Sequence, residues 1–113
     1  MGNGNLDGRI LDRLYQVADS RRNADPAGSY TAKLLGRGKR KIARKVGEEA
    51  VEVVVAALAQ PPEDVIAESV DLLYHLTVLW VSLGLKPADI WAEMARREGL
   101  SGLTVKALRA KDD

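Results

Sequence analysis

Val46-Gly-Glu48-Glu49-Ala-Val-Glu52-Val-Val-Val-Ala-Ala-Leu58-Ala-Gln60 runs into Pro61-Pro62-Glu63-Asp64-Val-Ile-Ala-Glu68-Ser-Val-Asp71-Leu-Leu-Tyr-His75 and continues apolar to Val81. Gln60 to Asp64 interrupts this stretch once, so it reads as two long helices joined by a tight turn. At about 100° per residue, Glu48, Glu49 and Glu52 fall within an arc of roughly 100° on the first helix. Glu68 and Asp71 stand one turn apart and share a face of the second. A helix that is apolar around the rest of its circumference belongs in an interior. Carboxylates carried inside with it cost several kcal/mol each unless paired or bound to metal. Acids converging across a helical hairpin therefore suggest a site for a hard divalent cation, Mg²⁺ before others, with Glu48, Glu49, Glu52, Glu68 and Asp71 as its ligands.

Five helical segments and no strand are expected around this hairpin, an all-α chain of one domain over residues 1–113. Leu6, Ile10, Leu11, Leu14 and Val17 give the first an amphipathic face. Asp19 to Gly28 is polar, holds Pro26, and reads as a loop. Ser29 or Thr31 can cap a short helix over Ala32 to Leu35, stopped by Gly36-Arg-Gly38. The long helices follow at about Lys39–Ala59 and Glu63–Leu83, with Pro62 suited to a first helical position. Gly84 ends the second. A fifth helix runs from Pro87 or Ala88 to about Arg97, and Gly99 to Gly102 breaks it before a short tail.

On the second long helix Ile66, Val70, Leu72, Leu73, Leu76, Leu79, Trp80 and Val81 occupy most of the circumference, leaving Glu68, Asp71 and His75 as a polar stripe. The remaining helices are too few to cover so much apolar surface. A helical bundle built on a long antiparallel pair and completed by homodimerisation is the economical solution.

Composition excludes several classes. The 113 residues carry 17 Lys and Arg against 16 Asp and Glu, with no cysteine, so disulfides, zinc fingers and thiol nucleophiles are out. The polar start has no apolar core of a signal peptide. The run Val70 to Leu85 holds Asp71 and His75 and is too short to span a bilayer. A cytoplasmic protein with no membrane partner is expected. The basic run Arg37, Lys39, Arg40, Lys41, Arg44, Lys45 suits phosphate or plain solvation. It has no interleaved aromatic residues, which argues against nucleic acid. Gly36-Arg-Gly38-Lys39 lacks the remaining residues of a P-loop.

Lys41, Lys45, Glu48 and Glu52 form one stripe, placing cations beside carboxylates as a metal-bridged phosphate chain requires. His75, one turn beyond Asp71, is either a core histidine bonded to Asp71 or a substrate contact. Trp80 and Trp91 read as core or interface.

Glu-Glu-x-x-Glu followed by Glu-x-x-Asp resembles the signature of the all-α nucleotide pyrophosphohydrolases, the MazG-like and dimeric dUTPase group. Within it, Ser29-Tyr30-Thr31, Lys45-Val-Gly-Glu-Glu-Ala50, Asp71-Leu-Leu-Tyr-His75 and Arg97-x-Gly99-x-Ser101-Gly102 resemble the phosphoribosyl-ATP pyrophosphohydrolase family, over about residues 6–102. Val70 stands where that family more often has alanine, and Val105-Lys106 departs from its tail. The resemblance implies Mg²⁺-dependent hydrolysis of 1-(5-phosphoribosyl)-ATP to phosphoribosyl-AMP and pyrophosphate in histidine biosynthesis. It implies Glu48, Glu49 and Lys45 as catalytic residues. Lys41, Lys45, His75, Arg37 and Arg40 would contact substrate. The competing expectations are a house-cleaning enzyme that cuts canonical or damaged NTPs at a similar metal site, and a non-catalytic helical dimer.

Overall fold

Gly38, Pro61 and Gly84 divide the chain where the backbone leaves helical geometry, and five helices result in the computed structural model, which describes residues 6–99. They are α1 (Arg9–Ser20), α2 (Tyr30–Arg37), α3 (Lys39–Ala59), α4 (Pro62–Leu83) and α5 (Pro87–Arg97). No strand occurs among the described residues. Of the expected Gly99 to Gly102 break, Gly99 follows the end of α5 at φ 79°, and the rest of the break and the tail lie outside the described residues.

Each boundary has a local cause. Ser29 caps α2 by accepting the Ala32 N–H at 3.1 Å, the role a serine at this position performs best. Gly38 takes φ 87° between α2 and α3, a conformation that favours glycine. Pro62 opens α4, where its missing N–H costs nothing, and Glu63 and Asp64 follow in the first turn. Gly84 closes α4 at φ 74°: its N–H donates to the Val81 carbonyl at 3.2 Å and the Leu85 N–H to that of Trp80 at 2.9 Å.

Two helices, α1 and α2, depart from their expected bounds. α1 starts later than Leu6 and runs past Val17 through Asp19 and Ser20. Ala18, 1% exposed, belongs to the core, so packing carries the helix into sequence that is polar on its own. α2 runs from Tyr30 through Gly36 to Arg37 instead of Ala32 to Leu35, with Ala32 and Leu34 as its buried residues.

The core joins four helices: Ala18 from α1, Leu34 from α2, Ile42 from α3, and Val78 and Val81 from α4, with Tyr15, Leu35, Tyr74 and Leu79 packed against it. Arg22, paired with Asp19 at 2.7 Å, also donates to the Val81 carbonyl and ties the loop after α1 to the end of α4. Trp80 meets Trp91 of α5 edge to face with ring centroids 6.4 Å apart, and the Trp91 indole donates to Asp12 of α1 at 3.4 Å. Both tryptophans thus pack within the fold. Leu34→Ala should cost about 2–5 kcal/mol by loss of contacts and the cavity left behind. Urea denaturation followed by circular dichroism measures it.

Core and apolar surface part company along the long helices. α4 buries His75, Thr77, Val78, Trp80 and Val81 in its second half, whereas Ile66 and Val70 in its first half are 67% and 60% exposed. On α3, Val51, Val54, Val55 and Leu58 are also exposed. Val81, expected among the uncovered residues, is instead fully enclosed. An apolar trough lined by Ala57, Pro62, Val65, Ile66, Val70 and Leu73 runs between these halves.

Contrary to the expectation that its apolar run is too short, α4 has 22 residues and is long and apolar enough to cross a bilayer by length and composition. Its packing and its acids distinguish it better. It makes its most extensive contact with α3, packs also on α1 and α2, and carries Glu63, Asp64, Glu68 and Asp71.

Candidate active site

Glu49 on α3 faces Glu68 and Asp71 on α4, and a carboxylate oxygen from each lies within 4.8 Å of the others. The short turn at Gln60-Pro61 returns the chain so that a position eleven residues before it meets positions seven and ten residues after it. Glu68 responds electrostatically: partial burial first, then Asp71, Glu52 and Glu49, raise its pKa above the ordinary carboxylate value. Each of these neighbours disfavours a second negative charge. Glu49 and Glu68 are half-buried, and Asp71 is exposed.

Three of the five expected ligands thus converge directly. Glu52, one turn beyond Glu49, is close enough to act on Glu68 and is exposed. The expectation that Glu52 and Asp71 are buried with their apolar neighbours fails in the single chain, because those neighbours, Val51, Val55 and Val70, are themselves uncovered. Glu48 turns to the cations of its own helix. It pairs with Lys45 at 3.4 Å and Arg44 at 3.4 Å, and these two bonds lower its pKa. A stack of oxygen donors with no nitrogen or sulfur among them suits a hard divalent cation such as Mg²⁺, whose charge would relieve the repulsion recorded at Glu68.

His75 sits behind these acids. It is 6% exposed, with Nδ1 2.7 Å from the Asp71 backbone carbonyl and Nε2 3.2 Å from the Tyr30 hydroxyl. The carbonyl only accepts, so Nδ1 carries the proton and Nε2 accepts from Tyr30. Both ring nitrogens are therefore engaged by protein, and the Asp71 partner is the main chain rather than the carboxylate. One residue back, Tyr74 hydrogen-bonds Thr31 and stacks on Tyr30 with centroids 6.2 Å apart. Ser29-Tyr30-Thr31 and Tyr74-His75, 43 to 45 positions apart, are two halves of one clamp that fixes α2 against the turn of α4 bearing Asp71.

The sequence gives no site role to Tyr30 or Tyr74, offers Thr31 only as a helix cap, and places Arg44 only in the basic run. The recurrence of two short polar-aromatic motifs was the available signal for the clamp. Helical spacing from Glu48 was the signal for Arg44. Arg37, Arg40, Lys41 and Arg44 line an open depression where α2 gives way to α3.

An all-helical domain with three facing carboxylates beside a cationic strip has the parts needed to grip a phosphate chain, and relatives of that class emerge from comparison with known proteins. Residues 11–98 match the family described as phosphoribosyl-ATP pyrophosphohydrolase. The phosphoribosyl-ATP pyrophosphatase of Rhodospirillum rubrum is 60% identical over 102 residues, 90% of this chain and 87% of that protein. Those of Paramagnetospirillum magneticum and Azospirillum brasilense are 56% and 50% identical, covering 93% and 96% of this chain and 96% and 98% of theirs. The chain belongs to the phosphoribosyl-ATP pyrophosphohydrolase family.

Proposed function

We propose that this protein hydrolyses 1-(5-phosphoribosyl)-ATP to 1-(5-phosphoribosyl)-AMP and pyrophosphate, a step of histidine biosynthesis carried out in the cytoplasm. The observation that carries the reading is the meeting of Glu49, Glu68 and Asp71 across α3 and α4 in a member of this family. Those three side chains, with Glu52 alongside, would hold Mg²⁺. Bound there, it supplies charge neutralisation for the phosphate chain and polarises the phosphorus–oxygen bonds.

The remaining residues divide the work. Lys45, 27% exposed and 3.4 Å from Glu48, places an ammonium group where negative charge accumulates on the departing pyrophosphate. Glu48, outside the acid triplet, takes the proton of the attacking water at its carboxylate. Its cationic partners lower its basicity while they hold it. Transfer of Lys45 and Arg44 to substrate phosphate releases that hold and restores a carboxylate able to accept a proton. The α–β bridging oxygen leaves with pyrophosphate. His75 and Tyr30 keep the Asp71 turn in place.

Two copies of the chain complete the fold, with α3 and α4 as an antiparallel pair whose uncovered halves meet those of the second copy. The exposed Val51, Val54, Val55 and Leu58 of α3 and Ile66 and Val70 of α4 support this.

Turnover of phosphoribosyl-ATP against a panel of canonical and oxidised NTPs in saturating Mg²⁺ tests the reaction. Phosphoribosyl-ATP should be preferred strongly, and equal or better turnover of an ordinary NTP would overturn the assignment. Lys45→Met should lower kcat/KM by roughly thirty-fold to a thousand-fold, equivalent to about 2–4 kcal/mol of lost transition-state stabilisation. Excess Mg²⁺ should not restore it. A change below about threefold in steady-state kinetics would make Lys45 a structural partner of Glu48 alone.

A further inference from the structure

The substrate just proposed carries phosphate at two ends: the triphosphate that is cut, and a phosphate monoester on the added ribose. Only one end can lie at Glu49, Glu68 and Asp71. We infer that the depression lined by Arg37, Arg40, Lys41 and Arg44 binds the phosphate monoester of the ribosyl group and so distinguishes this substrate from ATP. The inference rests on the reaction proposed above.

The cations of this depression are arranged at a cost. Within α3, Arg40 and Arg44 stand four apart and Lys41 and Arg44 three apart, and Arg37 joins them in the same depression from the end of α2. Like charges at those spacings repel along a helix face. Arg40 and Lys41 also fall in the first turn of α3, which contains no acid, where the helix dipole adds to the repulsion. Among the described residues Arg44 has an acidic partner, Glu48, and no ion pair forms at Arg37, Arg40 or Lys41. A doubly charged phosphate removes this repulsion, and arginine offers it paired N–H donors.

Arg96 and Arg97 are committed elsewhere: Arg96 is bound to Glu93 at 2.6 and 3.0 Å, and Glu93 has its pKa lowered to about 2 by Arg96 and then Arg97. Position also favours the depression. Arg40 precedes Glu49 by nine residues, about 13 Å along the helix axis, a separation two sugars and a base can bridge. Arg44, bonded to Glu48, makes the cationic strip continuous with the acids.

The test is the double variant Arg40→Gln/Lys41→Gln, both at positions outside the core. Its KM for phosphoribosyl-ATP should rise about ten-fold to a hundred-fold, the worth of charge-assisted hydrogen bonds, while kcat falls by less than about threefold. ATP, used as a competitive inhibitor, should keep its Ki, and ribose 5-phosphate should lose its inhibition in the variant. An unchanged KM in a folded variant overturns the inference and leaves the reaction intact. A parallel rise in the ATP Ki overturns it too, by assigning the strip to the triphosphate. Wild-type protein that fails to turn over phosphoribosyl-ATP removes the proposed reaction, and this inference with it.

Discussion

Asp71→Asn and Glu49→Gln are expected to abolish Mg²⁺-dependent pyrophosphate release, lowering kcat/KM by about a thousand-fold or more, in proteins that remain folded. Each removes one of the three carboxylates that meet between α3 and α4. Neither should lower the stability of the metal-free protein, because Glu68 already bears the repulsion of Asp71, Glu52 and Glu49 and the substitutions reduce it. The metal-free thermal midpoint of Asp71→Asn should equal or exceed that of wild type. Adding Mg²⁺ should raise the wild-type midpoint and leave the variant's nearly unmoved, since only binding to the folded state stabilises it. Glu52→Gln, outside the triplet, should lose less activity than Asp71→Asn. Titration calorimetry decides the matter, and Mg²⁺ affinity unchanged in both triplet variants would contradict the ligand assignment.

The second large effect is expected from Ile66→Asp. Ile66 is 67% exposed in the single chain, and a surface substitution of that kind ordinarily changes stability by about 0.5 kcal/mol or less. If the uncovered halves of α3 and α4 bury one another in a dimer, the same aspartate must be desolvated in apolar surroundings. The cost is then several kcal/mol per site, and the chain should dissociate, unfold or precipitate. The wild-type unfolding midpoint should rise with protein concentration. Light scattering that finds wild type a folded monomer at micromolar concentration, or an Ile66→Asp protein that assembles as wild type does, would contradict the dimer.

The five helices were legible because Gly38, Pro61-Pro62, Gly84 and Pro87 act through backbone chemistry that needs no tertiary context. The extension of α1 through Asp19 and Ser20 was not, because burial of Ala18 by other helices carries it. Burial itself was the weakest reading. The apolar neighbourhoods of Glu52 and Asp71 suggest an interior, yet the folded chain leaves them exposed, since periodicity reports which faces want covering and never what covers them.

At the site, spacing put Glu48, Glu49 and Glu52 on one arc without separating their roles. The crossing of α3 and α4 turns Glu49 toward Glu68 and Asp71 and leaves Glu48 with Lys45 and Arg44. The bond from His75 to the Asp71 carbonyl, and the clamp from Tyr30 and Thr31, depend on how α2 lies against α4. Pattern along a single helix holds no such information. The basic run was plain in the sequence, but its closure into a depression with Arg37 contributed from α2 was not.

A single competition reaction tests the central claim most directly. Equimolar phosphoribosyl-ATP and ATP, incubated with the protein in excess Mg²⁺, are followed by phosphorus NMR. Phosphoribosyl-AMP and pyrophosphate should appear in equal amounts, with ATP persisting until phosphoribosyl-ATP is exhausted. Release of orthophosphate with phosphoribosyl-ADP, or consumption of ATP at a rate equal to or above that of phosphoribosyl-ATP, would contradict it.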